Sequence, residues 1–336
     1  MKFTRVSHFM LIALLLFFVS CKQKGGQYDS MKHPAFQHSE VKSISDKISR
    51  DPANARLYFE RGQLLHKMNE DTLALNDFKK ATTLDSTQAE YFSAVGDLLF
   101  EHKDINGSVS WFETAIRLNP NDAKAHLKIA KLMIYIKDYT KAFSEINIVL
   151  RQNAMVPEGY FLKGMIYKDL LDTAKAISSF QTAVQIDPDY KEALVQLGLV
   201  YSAQKNLLAL KYFDNAFESD TSDVFPLYAK AMFLQDLGKY EEAKDVYAKC
   251  IHFNPDYSKA YFGIGWILMQ QDSFAKANQQ FDLVTKLEPT YAEAYYNRGL
   301  SSELSGNKKE AAEDYKQALI FKEDYQEAKE GINRLK

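Results

Sequence analysis

From about residue 39 to the C-terminus the chain repeats one arrangement of apolar, small and polar positions. The three- and four-residue spacing puts stripes of side chains on helix faces. The stretch 260–269, AYFGIGWILM, carries no charge and no proline. Alone it fits a buried strand, half a membrane span, or a helix occupied on two faces. Its register with the rest of the chain decides. A small residue recurs at Gly62, Gly96, Ala130, Gly164, Gly198, Ala231, Gly265 and Gly299, in steps of 34 with a single step of 33. A second small column runs Ala74, Ser108, Ala142, Ala176, Ala209, Ala243, Ala277 and Ala311. Its short step falls before Ala209, so one residue is missing from the turn near Lys205-Asn206. A large column follows at Phe78, Phe112, Ile146, Phe180, Phe213, Tyr247, Phe281 and Tyr315. Three residues beyond it lie Ala81, Ala115, Val149, Ala183, Ala216, Cys250, Val284 and Ala318. Pro52, Pro120, Pro188, Pro255 and Pro289 close units. Small residues let two helices approach, the large one fills the space beside them, and proline stops the second helix.

The pattern resembles the tetratricopeptide repeat (TPR), a 34-residue unit written W-x₂-L-G-x₂-Y, then A-x₃-F-x₂-A, then P. The resemblance covers 55–325 as eight units: 55–88, 89–122, 123–156, 157–190, 191–223, 224–257, 258–291 and 292–325. It implies an all-α TPR superhelical solenoid of antiparallel helix pairs, A and B, with a concave groove lined by A helices. Residues 39–54 have the phase of a B helix with no A helix before it, and 326–336 of a polar C-terminal capping helix. Ser86, Ala154, Thr221 and Glu323 replace the closing proline, His126 stands where an aromatic is usual, and Ser302 where Tyr or Leu is usual. Looser packing is expected there. Cys250, in an alanine column, reads as a small buried hydrophobe, and Gly263-Ile264-Gly265 as packing within a helix rather than a phosphate loop.

The N-terminus is of another kind. Lys2 and Arg5 precede the ten-residue apolar run Met10 to Val19, too short to span a bilayer. Phe18-Val19-Ser20-Cys21 resembles the lipobox of bacterial lipoprotein signal peptides, with Phe18 in place of the usual Leu. The resemblance implies a signal peptide over 1–20 and lipidation at Cys21, a membrane anchor when several acyl chains are attached. Lys22, where inner-membrane lipoproteins often carry Asp, favours the outer membrane and leaves the leaflet open. Residues 21–38, with Gly25-Gly26, read as the lipidated Cys and a flexible tether.

The formal charge is −2 in 336 residues, so no basic excess points to nucleic acid. Two cysteines make no disulfide framework. His8, His33, His38, His66, His102, His126 and His252 form no HExxH or Cys/His ligand spacing, and no GxGxxG, P-loop or GxSxG occurs. No catalytic residue, metal site or cofactor is expected. Asp and Glu read as sitting mainly on solvent faces and turns.

What the family resemblance offers instead is the groove, faced by positions 2, 5, 9, 12 and 13 of helix A. Position 9, usually polar, reads Gln63, Asp97 and Lys131, then Met165, Leu199, Met232, Trp266 and Leu300. Position 5 adds Phe161, Tyr228, Phe262 and Tyr296, position 2 adds Phe225, and position 12 adds Met269. Exposed together they would exceed the patch usual on a monomer, so a partner segment is expected over repeats four to eight. Three other arrangements would also cover it: tighter coiling that buries position 9, the chain's own Tyr28, Met31 and Phe36 folding back, or two copies associating. Lys124, Lys128 and Lys131 share one helical face and suit an acidic segment of a partner. No repeat pairs Lys at position 5 with Asn at position 9, so capture of a C-terminal carboxylate by a clamp of that kind is disfavoured. The reading is a non-enzymatic, lipid-anchored protein-interaction scaffold of the cell envelope supporting assembly of a secretion, motility, pilus or outer-membrane complex. An adaptor that localises or tunes cell-wall enzymes is the alternative. An enzyme or carbohydrate-binding module is opposed by the missing site residues.

Overall fold

The computed structural model describes residues 33–336, which form eighteen α-helices and a 3₁₀ turn, with no strand among the described residues. The signal segment 1–20, Cys21, Tyr28 and Met31 lie outside them. No described helix is long and apolar enough to cross a membrane. The chain divides into two compact units at His102/Lys103.

The first unit holds the 3₁₀ turn Pro34–Gln37 and helices α1 (Ser39–Arg50), α2 (Ala55–Lys67), α3 (Asp71–Leu84) and α4 (Ala89–Glu101). Composition predicts a tether as far as residue 38, but the chain is already packed at the turn, which buries Ala35 and Phe36. The Phe36 ring lies 5.1 Å from the Arg61 guanidinium. One aromatic in a polar stretch is enough to seat it, and averaged composition hides that. Phe36, one of the residues expected to cover the groove by folding back, packs against Arg61 of the first repeat instead.

The second unit continues with α5 (Ile105–Leu118), α6 (Ala123–Tyr135), α7 (Tyr139–Gln152), α8 (Pro157–Asp169), α9 (Thr173–Ile186), α10 (Lys191–Ala203) and α11 (Leu208–Ser219). It ends with α12 (Phe225–Asp236), α13 (Tyr240–Phe253), α14 (Ser258–Gln270), α15 (Phe274–Leu287), α16 (Ala292–Leu304), α17 (Lys308–Phe321) and α18 (Gln326–Arg334). Even-numbered helices from α2 to α16 are the A helices and odd-numbered ones from α3 to α17 the B helices. Each A helix ends in a left-handed residue: Asn69, Lys103, Lys137, Leu171, Lys205 and Asp272 at φ 52–63°, and Gly238 and Gly306. The reversal lets the following amide bond back across the turn, as Asp172 N does to Tyr167 O at 2.9 Å. The next residue then starts helix B. The carboxylates of Asp104, Asp138 and Asp172 each accept a backbone N–H three residues on. The missing residue of the fifth repeat is lost here. α11 starts only at Leu208, with the Asn206 side chain closing the turn on Leu208 N.

The large column packs against the small one. A Cβ on Gly164 would stand 2.4 Å from the Phe180 ring, so only glycine allows that approach. Where the large residue is tyrosine the longer ring reaches further. A Cβ on Gly263 would meet Tyr247 at 2.4 Å, and one on Gly331 would meet Tyr315 at 2.5 Å. Gly263-Ile264-Gly265 is therefore two packing glycines serving two different rings.

One expectation changes and one is sharpened. His126 and Ser302 do not loosen their repeats. His126 is buried, with Nδ1 2.6 Å from Glu145 Oε2 and Nε2 3.1 Å from Pro120 O, and Ser302 Oγ accepts from Asn278 Nδ2 at 2.8 Å. A hydrogen bond replaces apolar contact at each. Nor are all acids on solvent faces. Asp77 and Asp314 are buried, held bidentately by Arg61 (2.6 and 2.8 Å) and Arg298 (2.9 and 2.6 Å). In both the arginine lies sixteen residues before its aspartate, in the first and the eighth repeat.

Candidate functional site

Within the second unit, A helices touch the next A helices, α6 meeting α8, α10 meeting α12 and α12 meeting α14, and the last A helix, α16, touches the capping helix α18. B helices make no comparable contact with one another, so the A helices form the tighter, inner layer. The candidate groove residues are borne on this layer.

The structure sorts them into three groups. The position-5 rings belong to internal ladders. Phe161 sits between Phe180 (5.9 Å between centroids) and Tyr190 (5.6 Å). Tyr228 lies between Tyr247 (6.0 Å) and Tyr257 (5.5 Å), Phe262 between Phe281 (5.3 Å) and Tyr291 (5.5 Å), and Tyr296 between Tyr315 (5.7 Å) and Tyr325 (5.1 Å). Each ladder joins helix A, helix B and the last residue of the repeat. These rings are half-buried scaffold, and their faces are already occupied. The tyrosine at the end of the repeat was missed in the sequence reading, although Tyr190, Tyr257, Tyr291 and Tyr325 stand in one column. Burial pushes the hydroxyls of Tyr190, Tyr228, Tyr291, Tyr296 and Tyr325 above the usual phenol range, and that of Tyr257 up to about 12, so the ladders stay uncharged.

The second group is half-buried at the seams between repeats. Met165 and Leu199 pack on one core cluster, Trp266 on the next and Leu300 on the last. Trp266 meets Tyr240, the first residue of α13, edge-on at 6.1 Å. Met269 Sδ accepts from Ser301 Oγ at 3.1 Å across to α16. A continuous run of exposed apolar side chains is thus not present, because each A helix leans on the repeat before or after it.

The third group is what remains open. Phe225 and Met232, both on α12, stand at 38% and 40% exposure, the two most exposed of the candidate groove residues. Seven residues apart, they lie two turns along one helix face. Of the lysines, Lys131 pairs with Glu158 of the next repeat, so it is not free for a partner's acid. Lys128 lies 5.6 Å from the Phe112 ring, and Lys124 is exposed. A separate hollow of about 480 Å³ lies between α15, α16 and α17, lined by Arg298, Asp282, Asp314, Asn278 and Ser302. Its groups are paired with one another, Arg298 reaching Asp282 at 2.8 Å as well as Asp314.

Profiles described as tetratricopeptide repeat match residues 55–88, 157–190, 226–257 and 292–325. A TPR repeat-containing protein of Methanocaldococcus jannaschii is 24% identical over 79% of this chain and 49% of its own length. Superkiller complex protein 3 of Homo sapiens is 24% identical over 65% of this chain and 14% of its own. The chain thus spans about half of the first relative and far less of the second. Among solved structures, the C-terminal part of a TPR repeat-containing protein from Cytophaga hutchinsonii aligns with a TM-score of 0.58 at 17% identity, covering 70% of this chain and 98% of that one. A tetratricopeptide repeat protein from Parabacteroides merdae aligns at 0.50 and 20%, covering 74% and 98%. Likeness at this identity establishes the fold.

Proposed function

The chain belongs to the tetratricopeptide repeat proteins, a family whose members generally mediate protein–protein interaction, and from that premise we propose that it is a non-enzymatic scaffold. It binds a segment of another protein along the A-helix layer of its second unit, centred on α12. Lipid at Cys21 holds it to the cell envelope, on the outer membrane, where it supports assembly of an envelope complex. The observation that carries the binding site is the exposed pair Phe225 and Met232, on one face of a helix whose neighbours are otherwise sealed. An amphipathic helix or an extended segment suits such a face, with two apolar anchors spaced two turns apart.

The pair is also the right place to intervene. Trp266 is half-buried on the core, so replacing it would disturb folding as well as binding. Phe225→Ser with Met232→Ser removes the exposed anchors alone. Loss of co-purification of the partner from detergent-solubilised membranes, with an unchanged circular dichroism spectrum and melting temperature, is expected; unchanged capture contradicts the site. The anchor is tested separately: Cys21→Ala should move the protein from the membrane to the soluble fraction, and retention on membranes contradicts lipidation.

A further inference from the structure

A second apolar surface lies away from the groove, at the tips of the A–B turns. In the third, fourth and fifth repeats these tips carry Tyr135-Ile136, Leu170-Leu171 and Leu207-Leu208, all exposed, with Leu171 at 86%. Leu171 takes the left-handed position of its turn, where other repeats place Asn69, Lys137, Asp272 or Gly306. A leucine is poorly suited to that backbone, and here its side chain projects into solvent. Leu207-Leu208 are turned outward where the missing residue shortens α11. At the same register the sixth to eighth repeats carry Asp236-Leu237-Gly238, Gln270-Gln271-Asp272 and Leu304-Ser305-Gly306: Leu237 is half-buried, the seventh tip is polar, and the exposed Leu304 stands alone rather than beside a second aliphatic.

The three tips share one edge. The Tyr139 hydroxyl at the third turn donates to Asp169 at the fourth (3.3 Å). Leu171 of the fourth turn and Ala203 and Gln204 of the fifth line one cleft of about 360 Å³. The charge around them is biased. Residues 133–141, 167–175 and 201–211 hold Lys137, Lys141, Lys168, Lys175, Lys205 and Lys211 against Asp138, Asp169 and Asp172. Asp138 and Asp172 cap α7 and α9; Lys175 is itself paired with Asp172 and Lys141 with Glu113, so the exposed Lys137, Lys205 and Lys211 carry the excess.

We propose that this turn edge is a membrane-interfacial surface, its leucine, isoleucine and tyrosine tips entering the headgroup region of an anionic bilayer while its lysines pair with lipid phosphates. Separate aliphatic tips flanked by lysines, with a tyrosine among them, match the chemistry of that interface. A second copy of the chain is the poorer occupant, because edge-to-edge pairing would bring two lysine-rich rims together. The surface is distinct from α12 and does not need the lipid anchor.

The test uses the full chain carrying Cys21→Ala, so that no acyl chain contributes. Cys250 is fully buried, its thiol pushed up to about 12 by desolvation, so a thiol-reactive fluorophore labels an added cysteine selectively. The environment-sensitive dye NBD is placed at Leu171→Cys, or at the same turn position of the seventh repeat, Asp272→Cys. With phosphatidylglycerol-containing vesicles the dye at 171 should blue-shift and brighten several-fold; at 272 it should not, nor at 171 with phosphatidylcholine alone. Adding Leu170→Asn and Leu207→Asn should abolish the response while leaving the circular dichroism unchanged. Equal responses at 171 and 272, or none, overturn the proposal. So does a blue shift at 171 that grows with protein concentration without vesicles, which identifies a second copy as the occupant.

Discussion

Asp220 shows how one side chain sets the approach to the site. Its carboxylate accepts from the Lys191 ammonium at 2.8 Å and from the hydroxyl and amide of Ser222, and these bonds hold its pKa down to about 2. Lys191 also reaches Asp223 (3.2 Å), whose carboxylate accepts from Phe225 N (2.9 Å) in the turn before α12. The start of α10 is thereby tied to the loop that launches α12. A depressed carboxylate contributes stability above its ordinary pKa of about 4 and loses it as pH falls towards 2. The Asp220 carboxyl NMR signal should titrate with a midpoint near 2, and Lys191→Met should return it towards 3.8, the ordinary value. A midpoint unmoved by that substitution would disprove the clamp. The exposed contact is worth little to global stability; its consequence is the orientation of Phe225.

At the scale of the helix pair, the small and large columns are coupled. Glycine faces phenylalanine inside repeats one, four, five and seven, whereas the third repeat pairs Ala130 with the slimmer Ile146. Gly198→Ala, whose Cβ would sit 2.5 Å from Phe213, should destabilise by about 1–3 kcal/mol in urea unfolding. Phe213→Ile in the same chain, copying the third repeat, should recover part of that loss; strictly additive losses would show that the columns do not interact. These columns were legible because backbone approach fixes residue size at a constant interval, and the missing residue showed as a broken step. Other couplings stood in the sequence unread. Tyr247 and Tyr315 are followed sixteen residues later by Gly263 and Gly331, and Arg61 and Arg298 precede Asp77 and Asp314 by the same interval. Each links two columns rather than repeating within one. The candidate site was legible only in part. Residue type marked Phe225 and Met232 along with Trp266, Met165 and Leu300, but which of them stays open depends on how far the adjoining repeat leans over it. Trp266 is partly covered because position 17 of the preceding repeat happens to be Tyr240, information that lies outside its own helix.

Over the whole molecule, the apolar positions divide into those that hold repeats together and those left for something else to cover. The ladders and seams absorb most of the aromatic content. The α12 pair and the turn edge of repeats three to five do not. On this account the second unit is a stack of helix pairs whose A-helix layer receives a partner at one open stretch. Site-directed photo-crosslinking in cells tests that most directly, with p-benzoylphenylalanine in place of Met232 and, as control, in place of the exposed Lys249 on the B helix α13. The account predicts a discrete protein adduct from position 232 that is absent from position 249 and lost when Phe225→Ser is added. The same adducts from both positions, or none from 232, would contradict it.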